Sequence, residues 1–208
     1  MRYPLPLPIL LLIIVGLISF DSYQRNKVWL SEVSLWSDTS KKSCNKARTF
    51  DALGNAYKKS GMNDKAIEAY QQAITCNPTY AMAYNNLGYL YFFMGLDAQA
   101  KIRYVKALDL KPDYAEAHNN LGNVYLRGGQ YELAVKHFHT AIRLKPGYAE
   151  PHLNLGNRYL QEKQFDEALR QYEKALGLKP DFKNAQLNIE AIAQLKEYGD
   201  RARIELEY

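Results

Sequence analysis

Gly54, Gly88, Gly122 and Gly156 stand 34 residues apart, each preceded by Leu, and the chain around them falls into columns. A fixed period constrains the fold more than length does, because each unit is then one supersecondary piece that buries its apolar face only against its neighbours. The units run 47–80, 81–114, 115–148 and 149–182. Numbering places within a unit, place 4 holds Phe50, Tyr84, His118 and His152, place 7 holds Leu53, Leu87, Leu121 and Leu155, and place 11 holds Tyr57, Tyr91, Tyr125 and Tyr159. Place 20 holds Ala66, Ala100, Ala134 and Ala168, place 24 Tyr70, Tyr104, Phe138 and Tyr172, and place 27 Ala73, Ala107, Ala141 and Ala175. Pro78, Pro112, Pro146 and Pro180 close the units.

Places 4, 7 and 11 recur at steps of three and four, which is one face of a first helix; places 20, 24 and 27 do the same for a second. Gly at place 8 and Ala at places 20 and 27 let two backbones approach, with the aromatic rings filling the space beside them. Gly61, Gly95 and Gly129 fall where the first helix stops and suit a left-handed C-terminal cap, whereas Lys163 in the fourth copy departs from that pattern. The closing Pro ends the second helix, since the residue before it avoids the helical region. Eight of the seventeen tyrosines are thus assigned to packing.

These columns resemble the tetratricopeptide repeat, which has these residue types at this spacing. The expected class is all-α, an α-solenoid of four helix-turn-helix repeats with closed ends. At 25–46, "KVWLSEVSLWSDTSKKSCNK" reads as a half-repeat helix, with Trp36 in the place of the aromatic at 24. At 183–208, "KNAQLNIEAIAQLKEY" reads as a capping helix that lays Leu187, Ile189, Ile192 and Leu195 on repeat 4, followed by a tail, "GDRARIELEY", expected to fray.

Residues 1–24 are expected to be an uncleaved transmembrane helix. No charge occurs from Tyr3 to Phe20, and Leu5 to Phe20 contains twelve Leu, Ile, Val or Phe. The block reaches the roughly 20 residues a span needs if residues 3–23 cross, with Tyr3 and Tyr23 in the interfaces. A cleaved signal peptide would want a small-x-small site near Ser19 or Phe20, and there is none. The charges flanking the block balance, so orientation is open. A net charge of +5 arises from Lys and Arg scattered among acids, so no nucleic-acid partner is expected. Cys44 and Cys76 form neither a CxxC pair nor a zinc pattern, and a disulfide between them is one reading left open.

Catalysis needs a nucleophile, a base and a stabiliser at one place, and the sequence offers no such set, no phosphate loop and no metal spacing. No enzyme activity and no cofactor are expected. His137 and His139 are two apart on a helix and face different ways, while His118 and His152 stand in the packing column. Glu116 and Glu150 recur at matching surface places, which reads as a solvated face.

In stacked helix pairs the first helices line a concave face, into which places 2, 5, 6, 9, 12 and 13 are expected to point. Place 6 reads Ala52, Asn86, Asn120, Asn154, and place 9 reads Asn55, Tyr89, Asn123, Asn157. A side-chain amide both donates and accepts, so a row of them suits the backbone of an extended peptide. The Asn before Leu-Gly has no packing role in this reading, and Tyr89, Phe92 and Phe93 form an apolar anchor pocket. Shared descent of the repeats is the alternative source of the row. The row resembles the asparagine ladder in the tetratricopeptide arrays of O-linked N-acetylglucosamine transferases, which implies a protein or peptide partner. The carboxylate clamp of chaperone-binding members needs Lys or Arg where this chain has Asp51, Asn85 and Glu116.

The expectation is a membrane-anchored scaffold with its repeats on the periplasmic or extracytoplasmic side. A second resemblance carries the alternative. The apolar block followed by Arg25, Trp29, Glu32, Leu35, Trp36 and Asn45 is similar to the junction in polytopic membrane glycosyltransferases, where the last transmembrane helix leads into a tetratricopeptide tail. It implies an accessory or detached C-terminal module that recognises a protein substrate beside a multi-span membrane enzyme.

Overall fold

The computed structural model describes Val33 and residues 47–206, with side chains as far as Leu195. The expected anchor at 1–24, the half-repeat at 25–46, the glycosyltransferase-like junction and Cys44 lie outside the described residues. Among the described residues from 47 on there are nine α-helices and no strand: α1 (Ala47–Lys59), α2 (Asn63–Cys76), α3 (Ala81–Phe93), α4 (Asp97–Leu110), α5 (Ala115–Arg127), α6 (Tyr131–Leu144), α7 (Ala149–Gln161), α8 (Phe165–Leu178) and α9 (Lys183–Leu206). Each 34-residue unit is therefore one helix pair, as its columns require. The described helices include none long and apolar enough to cross a membrane.

The chain divides into two compact units, residues 1–90 and 91–208, with the division inside α3. In the first, α1 packs on α2. Tyr70 and Ala66 are wholly buried there, and a Cβ placed on Gly54 would stand 2.5 Å from the Tyr70 ring. In the second unit the helices stack in chain order, α4 on α5 and so on to α9 on α8. The same glycine contact recurs twice there, with Gly122 against Phe138 at 2.6 Å and Gly156 against Tyr172 at 2.4 Å. Leu-Gly recurs because the ring at place 24 lies where any side chain would be.

Each first helix ends in a Schellman turn. In the first repeat the Met62 N–H donates to the Tyr57 carbonyl at 2.9 Å and the Gly61 N–H to the Lys58 carbonyl at 3.0 Å, with Gly61 at φ +73°. Gly95 and Gly129 have φ +76° and +72°. Lys163 departs from the pattern in residue type but not in conformation: it takes φ +59°, and Gln164 still donates to the Tyr159 carbonyl at 2.9 Å. The two hydrogen bonds hold a turn that costs a non-glycine residue roughly 1–2 kcal/mol.

At the C-terminal end, α9 covers repeat 4 with a narrower face than expected. Ala185 and Ile192 are fully buried against Leu153, Ala168, Tyr172 and Ala175, with Ile189 packed beside them. Leu187 and Leu195 are 61% and 54% exposed: steps of four and three from Ala185 lead to Ile189 and Ile192, which leaves Leu187 on the far side and Leu195 at the edge of the stripe. The helix also runs on to Leu206, through the segment expected to fray.

Candidate functional site

Places 5, 6 and 9 lie on one face of each first helix, and the structure binds them into small polar networks. In the first unit Asp51, at place 5, is 4% exposed and accepts a hydrogen bond from Asn86 Nδ2 at 2.8 Å. Asn55 Nδ2 reaches the other Asp51 oxygen at 3.4 Å, and the Tyr70 hydroxyl donates to Asn55 Oδ1 at 2.9 Å. Burial pushes the Asp51 carboxyl above the usual carboxylate range, against the opposing pull of Asn86 and of the Lys58 ammonium. Burial lowers Lys58 in turn, partly offset by Asp51. Lys58 Nζ stands 4.7 Å above the Tyr89 ring.

The second unit repeats the motif with neutral groups. Asn154 Nδ2 donates to Asn119 Oδ1 at 2.9 Å, and Asn119 is 4% exposed. At place 9 of repeat 4, Asn157 Oδ1 accepts from the Tyr172 hydroxyl and from Asn188 Nδ2 of α9, both at 2.9 Å. Burial raises the Tyr172 phenol to about 12, with the Asn188 contact pulling the other way. Asn85 and Asn120 are also engaged.

Two readings of the sequence change here. Place 5 was expected in the open groove, yet Asp51, Asn85, Asn119 and Leu153 are all buried. The Asn before Leu-Gly was expected to have no packing role, yet Asn86 and Asn154 each satisfy a buried acceptor of the preceding repeat, a group costly to leave unpaired. The readable signal was the polar run Asp51, Asn85, Asn119 one residue before each Asn or Ala of place 6.

Among the six asparagines expected to form the site, Asn123 alone has no hydrogen-bond partner among the described residues. Its place-24 ring is Phe138, which has no hydroxyl to give. Of the expected aromatic anchors, Tyr89 is 44% and Phe93 74% exposed. Phe92 is covered: the Arg127 guanidinium lies 3.5 Å from its ring centroid, donates to its carbonyl at 3.2 Å and pairs with Asp97 at 2.8 Å.

No three metal-binding side chains converge among the described residues. His118 and His152 each find a partner within their own repeat. His152 Nδ1 is 2.8 Å from Gln171 Oε1; His118 Nδ1 is 3.0 Å from His137 Nδ1, and its Nε2 is 3.0 Å from the Pro112 carbonyl. The Tyr125 ring stacks on His137, and His139 is exposed. Glu116 pairs with Lys145 at 2.5 Å and Glu150 with Lys179 at 3.7 Å, so the matching acids are ion-paired surface groups.

Models of the tetratricopeptide repeat match residues 54–95, 81–114 and 113–181. The chain carries tetratricopeptide repeats. No curated protein matches it. Among solved structures, the array is similar to the crystal structure of MamA, with 26% identity and a TM-score of 0.62 over 77% of this chain and 94% of that one. It also shares its fold with YrrB, described as a TPR protein with an unusual peptide-binding site, at 19% identity and a TM-score of 0.58 over 80% of this chain and 86% of that one.

Proposed function

We propose that this tetratricopeptide protein is a docking module rather than a catalyst, and that the first-helix face of each unit receives an extended stretch of a partner protein. The observation that carries this reading is the polar column itself. Amides at places 6 and 9 recur on the same face of successive first helices, beside the exposed rings of Tyr89 in one unit and Phe93 in the other. Buried networks of several of those amides hold neighbouring first helices together, and a rigid face lowers the entropy cost of binding. The peptide-binding site in the printed description of YrrB supports the same use of the fold. Residues 3–23 then hold the module at a membrane, on the extracytoplasmic side.

Site-specific photo-crosslinking tests the face. With benzoylphenylalanine at Tyr89 or Phe93 in the full chain, one protein should be captured from native membranes, and the same residue at Lys136 or Arg170 on the second helices should capture none. Equal capture from both faces overturns the reading. Alkaline carbonate should leave the full chain in the membrane pellet, and its release would remove the anchor from the proposal.

A further inference from the structure

The ring at place 24 does two separable things. Its volume packs over the glycine at place 8, with a virtual Cβ 2.5, 2.6 and 2.4 Å from Tyr70, Phe138 and Tyr172. In repeats 1 and 4 its hydroxyl also ties up the amide at place 9, from Tyr70 to Asn55 and from Tyr172 to Asn157, at 2.9 Å in both. Asn157 then has both carbonyl lone pairs occupied, by Tyr172 and Asn188, and Asn55 has one carbonyl bond made and its amino group turned to Asp51. Asn157 therefore has no lone pair left to offer, and at Asn55 one lone pair and one N–H are already spent holding the amide to its own repeat. Phe138 supplies the volume without the hydroxyl, so among the described residues nothing spends the Asn123 amide, which stands partly exposed on the first-helix face.

We propose that Asn123 is the backbone-reading residue of the array: its amide accepts an N–H from, and donates an N–H to, one residue of an extended partner chain, and Phe138 is what leaves it free to do so. The pairing resembles one rung of a β-ladder, which a planar amide can complete with main chain of any sequence. It rests on the docking reading and adds to it a place, repeat 3, with a reason why repeat 4 does not share it and why repeat 1 offers only a half-spent amide. Asn55 and Asn157 are then structural, despite occupying the same column.

The test uses a random linear dodecapeptide library selected by phage display on the full chain, with the best peptide synthesised as the probe. Asn123→Ala should weaken that peptide about tenfold or more, as the loss of two hydrogen bonds implies, with unchanged melting. Phe138→Tyr should also weaken it several-fold with the fold intact, because the new hydroxyl has the geometry of Tyr70 and Tyr172, takes one lone pair of the Asn123 carbonyl and turns the amide toward its own repeat. One N-methylated backbone position of the peptide should reproduce the Asn123→Ala loss and add nothing to it in the double variant. If the library yields no binder, the docking reading fails and takes this inference with it. If a peptide binds but Asn123→Ala and Phe138→Tyr hold it as tightly as the parent does, the docking reading stands and Asn123 is not its reader.

Discussion

Repeats 3 and 4 are built on the same columns, and the second unit holds both, yet their polar chemistry differs at two places. At place 24 Phe138 faces Tyr172, and at place 23 His137 faces Gln171. The first exchange leaves Asn123 unpaired where Asn157 accepts two bonds, and the second makes a His118–His137 pair where repeat 4 has His152 and Gln171. The first leaves the packing alone, for Phe138 and Tyr172 are both wholly buried. The fold asks place 24 for an aromatic volume. The hydroxyl is spare, so it can decide what the first-helix face offers a partner.

If packing really is shared, Gly122→Ala and Gly156→Ala should hurt alike and hurt most. A methyl group at 2.6 or 2.4 Å from the ring must push Phe138 or Tyr172 aside, an overpacking cost of about 1–3 kcal/mol. Thermal melting of the two variants checks it; a loss confined to one would show that the repeats do not share a core.

Next in size is the link between place 6 and the buried acceptor behind it. Asn86→Ala and Asn154→Ala should each cost about 1–2 kcal/mol in denaturant melts, by removing the shorter of the amide hydrogen bonds to Asp51 or the Asn154 donor to Asn119. The first should cost more, because Asp51 is a carboxyl already raised by burial. Two neutral outcomes would return these asparagines to the free surface.

That link also shows where the sequence was readable. The period, the helix pairs, the glycine-ring contact and the closing of each first helix all follow from columns of identical or equivalent residues, since steric demands repeat with the backbone. The pairing of Asn86 with Asp51 did not follow, because it joins place 6 of one repeat to place 5 of the one before, and the place-5 column varies through Asp51, Asn85, Asn119 and Leu153. Lys163 misled for the opposite reason: two backbone hydrogen bonds keep its turn whatever the side chain. Leu187 and Leu195 read as cap residues beside Ile189 and Ile192, but both are exposed, and helix phase turns Leu187 to the far side.

The histidine exchange predicts a pH dependence in repeat 3. Burial, the neighbouring His118 and Lys136 lower His137 from 6.5 to about 4. The unfolded chain therefore takes up this proton before the folded one, so stability is full above about pH 6.5 and falls as pH drops toward 4. Discounted for the partial exposure of the ring, the loss is about 1 kcal/mol. His137→Gln, which copies the His152–Gln171 arrangement of repeat 4, should flatten that part of the profile of melting temperature against pH. An unchanged slope would place the titration elsewhere.

The smallest stability effect expected is at Asn123 itself, and it bears most directly on the comparison. Asn157→Ala removes the acceptor of the Tyr172 hydroxyl and of Asn188, and Tyr172 is wholly buried, so about 1 kcal/mol should be lost. Asn123→Ala removes no hydrogen bond made within the described residues. Alanine is the better helix former by a few tenths of a kcal/mol, so the variant should melt at the parent temperature or slightly above it. A Tyr172→Phe, Asn157→Ala double variant separates the causes: if the place-9 amide matters to the fold only through the hydroxyl, losing both should cost scarcely more than losing one. An Asn123→Ala loss as large as that of Asn157→Ala would mean that the amide of repeat 3 is structural after all, and the difference between the two repeats would shrink to the histidine pair.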